Sequence, residues 1–205
     1  MAVLGAGGNV PAATLVVSVE SRDGRPLAGA VLTADPQGQR VPAPGPASAV
    51  VDQVDLAFVP DVVVVPTGSS ISFPNSDAVS HQVYSFSSTR RFQLPLYRGK
   101  PYPPVVFDQP GVVTLGCNIH DNMLAYIIVT SAPFFGRSDA QGRWTVPGVP
   151  GGRYRLQLWH PLLSEPGNTL AREIDVPSEG ARLTWRLDRA LKPPPLKSRP
   201  HSWDY

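Results

Sequence analysis

Gly116-Cys117-Asn118-Ile119-His120-Asp121-Asn122-Met123 is the stretch on which fold and chemistry turn. A thiol, an imidazole and a thioether lie in it at Cys-x2-His-x2-Met spacing. The flanks, 112–116 and 124–130, are apolar and β-branched and read as strands. The segment between them is then a strand-to-strand loop. A loop can turn three side chains toward one point, whereas a strand sends neighbours to opposite faces. Soft thiolate and thioether joined by imidazole suit copper, not magnesium or calcium.

Cys117 is the single cysteine of the chain. It excludes an intrachain disulfide, a four-cysteine zinc site and a dithiol redox motif. A lone cysteine is most often a small buried hydrophobe, and a methionine most often core. The joint spacing with His120 and Met123 outweighs both readings. A trigonal copper site also needs a second histidine. His81, His160 and His201 remain. His81 follows the turn-like Pro74-Asn-Ser-Asp77 within an expected strand, 79–86. Beside the 112–116 strand, it can reach the loop. His160, in Trp159-His160-Pro161, reads as a strand-end residue and His201 as tail. Asp77 and Asp121 read as carboxylates capping turns.

Moving outward, 24 prolines and 18 glycines in 205 residues exclude long helices. With 42% hydrophobic residues and 17% charged, the chain still has a core to bury. The class is all-β, short strands joined by many turns. Strands are expected at 14–20, 28–33, 51–58, 61–65, 70–73, 79–86, 91–96, 104–107, 112–116, 124–130, 143–146, 153–159, 171–176 and 182–188. Residues 35–48 read as a connector. Residues 189–205, with Pro193-Pro194-Pro195, read as an extended, poorly ordered tail.

The net charge of +2 divides as 0 over 1–48, −2 over 49–131 and +4 over 132–205. Aromatic residues do not interleave with the basic ones, so nucleic acid is not an expected partner. No apolar run reaches eighteen residues, so no transmembrane helix is expected. The start lacks a basic region and reads at most as the remnant of an export signal. Ser-His-Asp context, a nucleophile elbow, a Walker loop and paired glutamates are all missing, so no enzyme is expected.

Residues 49–131 resemble a cupredoxin, the fold of plastocyanin and amicyanin. The resemblance is carried by Phe73-Pro-Asn-Ser-Asp77 leading to His81, Gly111-Val-Val-Thr-Leu-Gly-Cys117, His120 and Met123. It is strongest to the plastocyanin-like group labelled methylamine utilization proteins. Phe107-Asp-Gln-Pro-Gly-Val-Val113 and His81-Gln-Val-Tyr-Ser-Phe-Ser87 share in that likeness. It implies a Greek-key β-sandwich holding one copper through His81, Cys117, His120 and Met123. Gln82, Gly116, Asn118 and Ile119 would surround the ligands. Two positions depart from the pattern. Gln82 stands where such sites carry Asn to tie the two ligand loops. Ile119 stands where they carry Pro, so it keeps an N–H that could reach the Cys117 sulfur.

The outer segments carry a second resemblance. Glu20-Ser-Arg-Asp-Gly-Arg-Pro-Leu-Ala-Gly-Ala-Val31 and Asp139-Ala-Gln-Gly-Arg-Trp-Thr-Val146 continuing to Leu156 are similar to carboxypeptidase-regulatory-like domains, small transthyretin-like sandwiches. The resulting division is 14–48 and 132–188 as two halves of that sandwich, with 49–131 inserted in or packed on it. The functions implied are one-electron transfer with unnamed redox-protein partners, copper carriage, storage or sensing, or a structural or adhesive module. Zinc is the lesser metal, because a thioether does not suit it. Copper on a thiolate, and the family likeness, imply export to a bacterial periplasm.

Overall fold

The computed structural model describes residues 13–194. Residues 1–12 and 195–205, with the expected signal remnant, most of the tail and His201, lie outside the described residues. The chain begins with β1 (Ala13–Glu20) and β2 (Val31–Gln37). Ten strands follow: β3 (Ser48–Val50), β4 (Asp52–Val54), β5 (Ala57–Val59), β6 (Val62–Pro66), β7 (Ser69–Ser72), β8 (Tyr84–Ser85), β9 (Phe92–Gln93), β10 (Val105–Phe107), β11 (Gly111–Gly116) and β12 (Leu124–Thr130). The last five are β13 (Phe134–Arg137), β14 (Arg143–Val149), β15 (Gly152–Trp159), β16 (Thr169–Val176) and β17 (Ala181–Arg186). Among the described residues, the helical structure is one 3-10 turn, Pro166–Asn168.

Two compact units result. Residues 13–41 and 136–191 form the outer unit; 42–135, grouped with 192–194, form the inner one. The outer unit has sheets ordered β14-β1-β17 and β13-β2-β15-β16. Its first strand pairs in parallel with its last, Val17 opposite Leu183 and Val19 opposite Trp185. Alternation decides what is buried: Leu15, Val17 and Val19 on β1, and Tyr154, Leu156 and Leu158 on β15, are wholly inside. The opposite face of β15 sets Arg155 between Asp35 and Glu173, a charge ladder turned outward.

The inner unit has sheets ordered β10-β7-β3 and β6-β12-β11-β8-β9, plus the β4–β5 hairpin. Ile71, Val105 and Phe107 from one sheet share a core with Val113, Leu115, Ala125 and Ile127 from the other. That shared core makes the unit a β-sandwich. Phe92 packs against both Phe73 and Phe107, at 5.6 and 6.0 Å between ring centres. The β11–β12 hairpin pairs from Gly111–Val129 to Gly116–Leu124, so the loop 117–123 closes one end of the sandwich.

Several expected strands change when packing is added. The expected strand 51–58 is a hairpin, β4–β5, turning at Asp55-Leu56. Both turn residues have positive φ, 51° and 58°, the left-handed pair a two-residue hairpin demands. Neither is glycine, so composition concealed the turn. The expected strand 79–86 shrinks to Tyr84–Ser85. His81 therefore sits in a loop, held by a single bridge to Tyr97, not in a strand. Residues 35–37 belong to β2, and β13 has no periodic signal of its own.

Two close approaches can be tested. Gly142 has φ +72°, and a Cβ there would lie 2.5 Å from the Val19 carbonyl oxygen. Gly142→Ala should cost about 2–4 kcal/mol in urea unfolding; an unchanged midpoint would contradict this register. Gly116 lies under the Tyr84 ring, which a Cβ would meet at 2.8 Å. Gly116→Ala should cost about 1–3 kcal/mol, because overpacking forces the ring away. Adding Tyr84→Ala should recover part of that loss, and no recovery would place the strain elsewhere.

Candidate metal centre

His81, Cys117 and His120 converge at the end of the inner sandwich. His81 arrives on the loop after β7. Its N–H donates to the Tyr97 carbonyl (2.9 Å) and its carbonyl accepts from the Tyr97 N–H (3.0 Å). Cys117 directly follows β11. His120 lies one turn further on, where the Met123 N–H donates to its carbonyl (3.0 Å). His81 and Cys117 are buried and His120 is half-buried.

The donor atoms face one another. His81 Nδ1 and His120 Nδ1 are 3.0 Å apart, and Cys117 Sγ is 3.9 and 3.8 Å from them. The rings meet edge to face at 66°. A point about 2.0 Å from each nitrogen and about 2.3 Å from the sulfur lies close to the plane of the three atoms, so ordinary transition-metal bond lengths fit the triangle. Burying three electron-pair donors against one another is unfavourable unless a proton or a cation lies among them. The residues present fit a metal that prefers nitrogen and sulfur. Met123 is buried (2% exposed) in the same core cluster as Cys117.

Asp77, which the sequence presents as a turn cap, does more. It accepts the Ala78 N–H through Oδ1 (2.8 Å). Its Oδ2 lies 2.8 Å from the Leu56 nitrogen and 3.0 Å from His81 Nε2. Burial pushes the Asp77 carboxyl up, but the Leu56 N–H, His81 and the Ala78 N–H outweigh it and hold the pKa below the usual value. An ionised carboxylate only accepts, so Nε2 of His81 carries the proton. In the neutral ring Nδ1 then turns its lone pair toward Cys117 and His120. A carboxylate behind an imidazole is a common way to orient a metal ligand.

The rest of the loop is braced from the same side. Asp52 accepts the Ser76 N–H and hydroxyl, at 3.1 and 2.7 Å. Gln53, wholly buried, donates to the Pro74 carbonyl and to the Tyr97 hydroxyl. Asn75 donates to the carbonyls of Val79 and Tyr97 (3.0 and 2.9 Å) and accepts from the Asp77 N–H. Burial, against the Gln53 hydrogen bond and with the nearby Asp52, Cys117 and Tyr102 charges, pushes Tyr97 up to about 12. It stays a neutral phenol donating to the Phe73 carbonyl.

The other expected residues are placed as follows. Gly116 pairs with Tyr84 immediately before Cys117. Gln82 is half-buried, while Asn118 and Ile119 are exposed. Asn75 and Asp77 brace the His81 loop itself, bonding Val79, Tyr97, Leu56, Ala78 and His81. Asp121 is exposed. His160 belongs to the outer unit, where its N–H donates to the Asn168 carbonyl and its Nδ1 accepts the Leu162 N–H. Gln53 and Tyr97 give no sign in the sequence of a place at the site, and Asp77 reads there only as a turn cap four residues before His81.

No family model matches the chain, and no curated protein does. Among solved structures, it is similar to a purple cupredoxin from Nitrosopumilus maritimus, at 20% identity over 40% of this chain and 99% of that one, TM-score 0.37. A variant of amicyanin in the reduced Cu(I) form aligns at 19% identity over 40% and 82%, TM-score 0.38. A copper-containing nitrite reductase from Thermus scotoductus aligns at 25% identity over 47% of this chain but 25% of its own, TM-score 0.37.

Proposed function

We propose that the inner unit is a cupredoxin holding one copper ion, and that the protein is a one-electron carrier. The observation behind this is the buried triangle of His81 Nδ1, His120 Nδ1 and Cys117 Sγ. His81, Cys117 and His120 would hold the metal, with Met123 as a weaker fourth donor. Bound copper would supply reversible exchange between Cu(I) and Cu(II). The ligands come from a hairpin and a braced loop, so neither oxidation state requires them to rearrange. Burial of Cys117 and His81 excludes water, and the half-buried His120 gives the outside its shortest approach to the centre. Ile119, 50% exposed, and Leu124, 40% exposed, stand on the same loop and at its end. An all-protein donor set leaves substrate no place at the metal, which favours a carrier over an enzyme.

The outer unit is read as the carboxypeptidase-regulatory-like sandwich, a structural partner to the inner one. Redox proteins are the proposed donor and acceptor, and the periplasm the proposed compartment. No helix among the described residues is long and apolar enough to cross a membrane. The same triangle also suits a copper carrier, store or sensor, which would bind Cu(I) tightly and form no stable Cu(II) state.

Cu(II) titration of the purified protein should saturate at one equivalent with an intense visible thiolate-to-copper band and reversible electrochemistry. Cys117→Ser should abolish the band, and His81→Ala should weaken binding. Tight Cu(I) binding without a stable Cu(II) form would instead identify a copper-handling protein. Absence of copper binding would leave the structural module. Ile119→Pro removes the backbone N–H proposed to donate to the Cys117 sulfur and should lower the reduction potential, because hydrogen bonds to the thiolate favour Cu(I). An unchanged or higher potential would contradict that role for Ile119.

A further inference from the structure

The geometry points to the β4–β5 turn, Asp55-Leu56, as a positioning device for His81, acting through the carboxylate of Asp77; this inference rests on the metal-binding reading above. The turn places two consecutive non-glycine residues in the left-handed region, φ 51° and 58°. Asparagine and glycine would adopt that pair with less strain. Strain of this kind persists where the surroundings over-determine it, and it clusters at functional sites.

The surroundings here have a definite purpose. The Leu56 N–H donates to Asp77 Oδ2 at 2.8 Å, and the same oxygen accepts from His81 Nε2 at 3.0 Å. One carboxylate oxygen thus joins the tip of the hairpin to the back of the imidazole. The side chain of Asp77 is only 12% exposed, so water competes weakly for that oxygen. Behind the tip, Asp52 and Gln53 of β4 hold Ser76 and Pro74 of the same loop. The hairpin is therefore attached along its length to the segment that presents His81. Moving the Leu56 N–H would leave the carboxylate held behind His81 by the Ala78 N–H alone, and the His81 ring plane and tautomer would be less tightly fixed.

The consequence is chemical as well as steric. A carboxylate on Nε2–H makes Nδ1 a stronger donor. A stronger, more negative donor favours the more highly charged metal state, Cu(II) over Cu(I). Asp77 and the Leu56 N–H are positioning groups; neither touches the metal.

Two changes test this. Asp77→Asn keeps the shape and removes the charge. Insertion of one glycine between Asp55 and Leu56 leaves Asp77 in place and displaces the N–H. In the metal-free protein, nitrogen-15 NMR should show His81 of the parent as a single tautomer protonated at Nε2, with slow exchange of that proton. Both changes should mix the tautomers and speed the exchange. In the copper-loaded protein, Asp77→Asn should weaken Cu(II) binding by about 10–100-fold and Cu(I) binding less, so the reduction potential rises. The insertion should shift it the same way by a smaller amount. Parent-like tautomer, exchange and potential in the insertion variant would overturn the positioning role of the turn. Parent-like values in Asp77→Asn would overturn that of the carboxylate. If one variant does not fold, the other decides. If the parent takes up no copper, the metal reading fails while the metal-free measurement still tests the turn.

Discussion

Three electron-pair donors held within 4 Å of one another, two of them buried and one half-buried, repel unless something positive lies among them. That constraint organises the inner unit. A flexible chain would relieve it by turning one imidazole outward. The structure prevents this from two sides. The β11–β12 hairpin fixes Cys117 and His120, while the 74–81 loop, pinned by Asp52, Gln53, Asn75 and Tyr97, fixes His81. The paired sheets supply the rigid end on which both loops stand.

Much of this was legible in the sequence, and for identifiable reasons. The strands 112–116 and 124–130 are mostly apolar, β-branched runs with one loop between them, and they form with nearly the expected bounds. The Cys-x2-His-x2-Met loop placed two donors together because the spacing is local. Where contacts are distant, the sequence was less informative. The expected strand around His81 is mostly loop, because Asn75, Asp77 and Tyr97 satisfy its backbone and outline in place of a ladder. The Asp55-Leu56 turn is hidden in the sequence because its residues are not the usual turn formers, and only tertiary contacts make their conformation acceptable.

The role of Asp77 illustrates the limit. In sequence it is one more acidic residue after an Asn-Ser pair. Its contact with His81 depends on the loop doubling back, and its contact with Leu56 on a hairpin two elements away. A residue type alone cannot report such a convergence. The outer unit is the opposite case: its strands follow from alternation and turn signals, while its chemistry is bland, with charges laddered outward on β15 and its neighbours.

The most direct measurement is X-ray absorption at the copper edge on protein loaded with one equivalent of copper. One short sulfur scatterer and two imidazole nitrogens are expected, with the sulfur lost in Cys117→Ser. A shell of oxygens and nitrogens without sulfur would contradict it, because copper would then lie away from the triangle of His81, Cys117 and His120.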